Sequence, residues 1–198
     1  MPERRPRKDA ARNRAAALAA AADLFARTSP DQVTMADVAT EAGVGKATLF
    51  RAFGDRTGLI RALHQARLEP VLSAVETGPP PLGPATPALQ RVPAVLDALL
   101  CFKLDHRHLA RALEGAENTS PYRAGHYQRW HELLRAMLEP IVGPSECGFT
   151  AHALLAAVRA DLVERLAERD GLPRETMRAH LADFTARVLR TDPGERRT

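Results

Sequence analysis

Three observations on the sequence predict an all-α fold. Ala and Leu dominate the apolar residues, which make up 45% of the chain, and aromatic residues make up only 5%; that balance favours helix over strand. Apolar side chains recur at three- and four-residue spacing in one segment after another, the period of a helix with one buried face. The segments are separated by helix stops and starts: Ser29-Pro30-Asp31, Gly54-Asp55, Gly78 to Pro87, Gly143-Pro144, and Gly171 with Pro173. With 198 residues, the chain has room for a small N-terminal unit and one larger helical domain.

Taken in order, a first helix is expected from about Lys8 to Arg27, with Ala15, Leu18, Ala22 and Phe25 on its packing face. A short helix follows Thr34, whose hydroxyl suits an N-cap; Met35, Val38, Ala39 and Ala42 form its apolar face. Gly43 then stands where a left-handed backbone is wanted. A second short helix carries Val44, Leu49 and Phe53 on its inner side, and small Ala39 allows close approach. Two short helices joined this way make a helix-turn-helix, a unit that places its second helix in the DNA major groove. Its outer face would carry Gly45, Lys46, Ala47, Thr48 and Arg51. Lys or Arg can read guanine, and Thr can meet a base or a backbone oxygen.

The stretch from about Arg14 to Leu68 resembles the TetR family of bacterial transcription regulators. The residues that carry the resemblance are Ala-Ala-Asp-Leu-Phe at 21–25, Thr-Met-Ala-Asp-Val-Ala at 34–39, Ala-Gly-Val-Gly-Lys-Ala-Thr-Leu-Phe at 42–50, and Phe53. Gly45 stands where the family commonly has Ser, Ala47 where it has Gly, Phe50 where it has Tyr, and Arg56 where it has Lys. The resemblance implies that Thr34, Phe50 and Arg56 sit against the DNA backbone. Phe50 lacks the phenolic hydroxyl that reaches a phosphate, whereas Arg56 keeps its charge.

The net charge of +4 is concentrated at one end. Residues 1–14 hold six basic side chains against two acidic ones, and the rest of the chain balances. Residues 1–13 are therefore expected to be a basic, flexible arm whose Arg4, Arg5, Arg7 and Lys8 reach phosphates or the minor groove. Residues 14–55 would form the DNA-binding domain, and residues 56–198 a regulatory and dimerisation domain.

The fourth helix is expected from about Arg56 to Val75, with Pro70 inside it. The Pro-rich stretch Gly78–Pro87 is the clearest break. A fifth helix follows from Ala88 to about His106, then a short piece around residues 108–114. A helix started by Ser120-Pro121 would run to about Ile141, one capped by Ser145 to about Arg169, and a last one from Pro173 to about Arg190.

On the last two, Leu155, Val158, Leu162 and Leu166 make one stripe and Met177, Leu181, Phe184 and Val188 another. In the family that this chain resembles, such helices from two subunits form a four-helix bundle. A homodimer also has an independent motive, since two recognition helices roughly 34–36 Å apart read a palindrome. The resemblance further implies a small-molecule pocket in the C-terminal domain. Tyr122, His126, Trp130 and Met137 share one helical face and are its candidate lining, with Phe102, His106 and Arg159 as further candidates; plain core packing is the competing reading of the same aromatics.

Several classes are set aside. No run of about 18 apolar residues is present, so no membrane span is expected, and the N-terminus lacks a signal-peptide pattern. Cys101 and Cys147 are isolated and read as small buried hydrophobes in a cytoplasmic protein. His106 and His108, two apart, do not share a helical face, and no metal site is expected. Gly45-Lys46-Ala47-Thr48 lacks the glycine spacing and preceding strand of a phosphate-binding loop. No nucleophile–base pair or carboxylate cluster points to an enzyme, and no cofactor is expected. The sequence thus reads as a regulator that binds a double-stranded DNA operator as a homodimer, is released by an unknown small-molecule effector, and represses by default. The alternative is a ligand-independent or architectural DNA-binding protein.

Overall fold

The computed structural model describes residues 4–28, 32–107, 109, 113 and 125–190, and the side chains of these except residues 4–8 and 125–126. Among the described residues the fold is all-α, as the composition and spacing predict. The chain divides into two compact units. One takes in the chain through Leu68 together with the stretch holding Leu109 and Leu113; the other holds Glu69–Arg107 and the residues from 125 onward. The first unit therefore reaches beyond residue 55, the expected end of the DNA-binding domain, by most of a helix and one later segment.

In the first unit α1 spans Arg4–Arg27, α2 Met35–Glu41, α3 Lys46–Phe53, and α4, Arg56–Thr77, begins there. The backbone of residues 4–13 is helical and continuous with the rest of α1. The physical reason is local: Arg and Ala are strong helix formers, and Pro6 sits in the first turn, where its missing N–H leaves no helical bond unmade.

Thr34 caps α2 through a reciprocal pair of bonds. Its hydroxyl accepts from the Asp37 backbone N–H at 3.2 Å, and its own backbone N–H donates to the Asp37 carboxylate at 2.9 Å. α2 stops at Gly43, with φ +63. The Gly43 N–H bonds the Thr40 carbonyl at 3.1 Å and the Val44 N–H bonds the Ala39 carbonyl at 3.0 Å, the double closure that a left-handed glycine permits. Asp55 caps α4 by accepting from the Gly58 N–H at 2.7 Å. Gly58 is required there, because a Cβ on it would stand 2.0 Å from the Phe53 carbonyl oxygen.

The core of this unit is built from Ala17, Ala21 and Phe25 of α1, Val38 and Ala39 of α2, Leu49 of α3, Leu59, Ile60 and Leu63 of α4, and Leu109. Burying each of the larger side chains contributes roughly 1.5–3 kcal/mol. The α1 face is rotated from expectation: Ala15 is exposed, and Ala17 and Ala21 take the inner positions.

The second unit contains the rest of α4, α5 (Ala88–Asp105), α6 (Gly125–Val142), α7 (Cys147–Ala157), α8 (Ala160–Glu164) followed by a π-helical turn over Arg165–Arg169, and α9 (Arg174–Leu189). α6 packs on α7, and α5 packs on α6, α8 and α9. Val92, Leu96, Leu134, Leu138 and Leu154 are fully buried at its centre. The Pro-rich segment is non-helical, as expected, and Arg91 holds it: its Nε donates to the Leu82 carbonyl at 2.8 Å and its Nη2 to the Val75 carbonyl at 2.6 Å. Arg178 grips Asp97 bidentately at 2.7 and 2.8 Å, and Arg129 grips Glu76 at 2.7 Å. These pairs are partly exposed, so each contributes only about 0–1 kcal/mol; their two-pronged geometry fixes orientation more than it adds stability.

One expected helix is in fact two. The segment from Ser145 to Arg169 breaks at Val158 and Arg159, where Arg159 adopts an extended backbone, φ −64 and ψ 146. No Gly or Pro marks the break. Arg159 is tied instead to Asp161, at 3.0 and 2.7 Å, and the Asp161 carboxylate also accepts from the Leu162 N–H at 2.9 Å. The break shifts the phase of the apolar stripe, so that Val163 is buried and Leu162 is not.

Candidate nucleic-acid interface

α3 points Leu49 inward and turns its other side to solvent. Gly45, Lys46, Ala47, Phe50 and Arg51 are all exposed on that outer side, and Thr48 is half-buried beside them. No carboxylate occurs within the eight residues of the helix. One exposed helix surface thus combines two cations, a hydroxyl and two apolar groups. Its width suits the major groove, where an α-helix fits and base edges are read.

Two of the expected backbone-contact residues have structural work. The Thr34 hydroxyl and the Asp37 carboxylate bond each other at 2.7 Å within the cap of α2. The same bonds hold the Asp37 carboxyl below the usual carboxylate range, the Thr34 hydroxyl being the largest cause. Arg56 donates its Nε to the Val33 carbonyl at 3.0 Å, tying the start of α4 to the residue before the α2 cap. Both side chains brace the helix-turn-helix from within. The side chains of Arg4, Arg5, Arg7 and Lys8 lie outside the described residues.

Sequence reasoning missed the role of Arg14, seen there only as one charge of the arm. Its Nη1 donates to the Ala52 carbonyl at 3.0 Å, and its guanidinium carbon lies 4.6 Å from the centre of the Phe53 ring. A cation at the end of α3 satisfies an orphan carbonyl and complements the helix dipole. The partners are 38 residues apart, so no local pattern announces them.

In the second unit the candidate ligand residues scatter. Trp130, Met137 and Phe102 are buried at 4–5% exposure. His106 meets Phe102 edge-on, with ring centres 4.8 Å apart, and Arg159 is engaged with Asp161 as above. Tyr122 lies outside the described residues, as does the side chain of His126. A different cluster forms alongside. The His131 and His152 rings stack at 3.9 Å, the Tyr127 hydroxyl lies 2.7 Å from His152 Nδ1, and His131 Nε2 donates to the Gly148 carbonyl at 3.1 Å. Burial, and then the neighbouring His131, push the His152 pKa down. The i, i+4 spacing of Tyr127 and His131 was the available signal.

Of the expected dimer stripes, Leu155, Val158, Met177 and Leu181 are buried in the unit's own core. Leu162 and Phe184 are exposed, at 37% and 36%, while Leu166 and Val188 are half-buried. Phe149, which the sequence did not single out, is 77% exposed on α7. Among the described residues no three metal-ligating side chains come together, and no helix is long and apolar enough to cross a membrane.

Residues 17–63 match the family model described as bacterial regulatory proteins, tetR family. The chain is similar to the HTH-type transcriptional regulator SAR2658 of Staphylococcus aureus, 30% identical over 123 residues that cover 62% of this chain and 65% of that protein. It is also similar to the HTH-type transcriptional repressor LfrR of Mycolicibacterium smegmatis, 40% identical over 58 residues covering 29% and 31%. The matches thus span less than two thirds of either relative. Among solved structures, a TetR-like regulator from Rhodococcus sp. RHA1 aligns with a TM-score of 0.60 at 21% identity, over 91% of this chain and 97% of that one. NalD of Pseudomonas aeruginosa aligns at 0.59 and 20% identity over 94% and 100%. These structures share the fold along nearly the whole chain. The matched segment is the one in which the capped α2, the glycine turn and the exposed α3 lie, and residues 17–63 carry the helix-turn-helix of the tetR family of bacterial regulatory proteins.

Proposed function

We propose that this protein regulates transcription by binding a palindromic operator in double-stranded DNA as a homodimer, in the cytoplasm and without catalysis. The observation that carries the proposal is the outer face of α3, where Lys46, Ala47, Phe50 and Arg51 are exposed together and no acid interrupts them. Lys46, Thr48 and Arg51 would read base edges, and the N-terminal cations Arg4, Arg5, Arg7 and Lys8 would add affinity that falls with salt. The exposed Phe149, Leu162 and Phe184 of the second unit supply apolar surface for a second copy. Repression is the default, and the naming of LfrR and NalD as repressors supports it.

Release by a small molecule bound in the second unit completes the reading. By linkage, DNA would weaken effector binding by the same factor that effector weakens DNA binding. One observation favours the ligand-independent alternative: Trp130, Met137 and Phe102 already fill core positions.

The test is a titration of the purified protein with the DNA upstream of its own gene, against random competitor at two salt concentrations. Tight, competitor-resistant binding is expected. Arg51→Ala should weaken the specific complex by about 1–3 kcal/mol while sparing random DNA; equal loss on both would reduce Arg51 to a phosphate contact. Trp130, the sole tryptophan, reports effector binding by fluorescence, and silence across a broad panel of ligands would favour the alternative.

A further inference from the structure

Phe50 is 49% exposed on α3, and Ala47 one turn before it is exposed on the same face. Lys46 and Arg51 flank this apolar pair. A half-exposed aromatic ring costs hydration in the free protein, and the unit's own core, which takes Leu49 from the same helix, leaves it outward. The surrounding cations favour a polyanion as its cover. Within the major groove the base edges present hydrogen-bond donors, acceptors and one apolar group, the C5-methyl of thymine.

We infer that Phe50, with Ala47 beside it, is a specificity-determining contact that reads a thymine methyl in each half-site. The inference rests on the DNA-binding reading above and moves Phe50 from the DNA backbone, where the family resemblance placed it, to the base edges. The absence of a phenolic hydroxyl fits this role. A Tyr hydroxyl would seek a polar partner at the ring tip, whereas the Phe ring presents apolar carbon throughout.

The experiment uses the full chain and the operator found in the upstream DNA. Each thymine is replaced singly by deoxyuridine, which removes the methyl and leaves every base-pair hydrogen bond in place. For the wild type, one thymine per half-site should cost about fourfold in affinity when replaced, the value of one buried methyl-sized group. Phe50→Ala should abolish discrimination at that position and leave the profile elsewhere unchanged. Phe50→Leu keeps an apolar side chain on that face and should keep part of the discrimination, which separates loss of the contact from loss of the fold. A uracil profile that is flat for the wild type, or unaltered in Phe50→Ala, overturns the inference while leaving the regulator reading intact. Failure to find competitor-resistant binding to any upstream DNA overturns both.

Discussion

The Arg14 guanidinium lies over the Phe53 ring at 4.6 Å while its Nη1 holds the Ala52 carbonyl at 3.0 Å. One side chain of α1 thereby fixes the last turn of α3, the helix proposed to enter the groove. Arg14→Ala should lower stability by about 1–2.5 kcal/mol, the sum of an exposed cation–π contact and one hydrogen bond. Arg14→Lys keeps the charge but loses the planar fork, and should recover only part of it. Urea unfolding measures both, and an unchanged midpoint in Arg14→Ala would mean that the contact does not hold in solution.

Thr34→Ala removes the cap of α2 and should cost about 1 kcal/mol. The pH dependence has a defined sign. Asp37 has its folded pKa depressed, so its contribution is present at neutral pH and is lost as pH falls through the folded value. Asp37→Asn should therefore flatten the acid side of the stability curve. Parallel curves for variant and wild type from pH 6 to 2 would show that the cap bonds are not what lowers the carboxyl.

His152 predicts a second pH effect, at milder acidity. Its folded pKa is lowered, by burial first and by His131 second, so below the ordinary imidazole value of about 6.5 the unfolded chain binds more protons. Stability should fall as pH drops from about 6.5 through the folded value. His152→Gln should remove that slope at the expense of the 2.7 Å contact with Tyr127. Chemical unfolding at pH 7.5 and 5.5 checks it, the difference between the two being smaller in the variant.

Thr86 is buried, and its hydroxyl has no hydrogen-bond partner among the described residues. Valine has the same shape without the polar atom, so Thr86→Val should stabilise the protein by about 1 kcal/mol. A thermal melt that moves downward would point to a bond the hydroxyl makes in solution.

Local chemistry made the helix-turn-helix legible. Thr34, Gly43 and Asp55 each bond groups within a few residues of themselves, so together with the inward Leu49 they announce the turn, the caps and the exposed face of α3. The parts that were not legible depend on partners far along the chain or on side chains of double use. Thr34 and Arg56 are polar residues beside the helix proposed to bind DNA, and their bonds to Asp37 and to the Val33 carbonyl give them a part in the scaffold as well. The break at Arg159 has no Gly or Pro because a bidentate pair with Asp161 makes it. Once the break is there, the four-residue stripe through Leu155 and Leu162 no longer shares a face.

Leu109, almost fully buried in the cluster that contains Phe25, Leu49 and Ile60, bears on how this protein can be taken apart. A gene fragment ending at Leu68 encodes the whole helix-turn-helix of the first unit and yet omits a side chain from the middle of its interior. Losing a buried leucine of this kind costs about 2–5 kcal/mol, a large share of what a small unit possesses. The head is therefore not a module that transplants as one block. A chimera that joins these 68 residues to a foreign body must also import the later segment, or fill the vacancy with a larger neighbour.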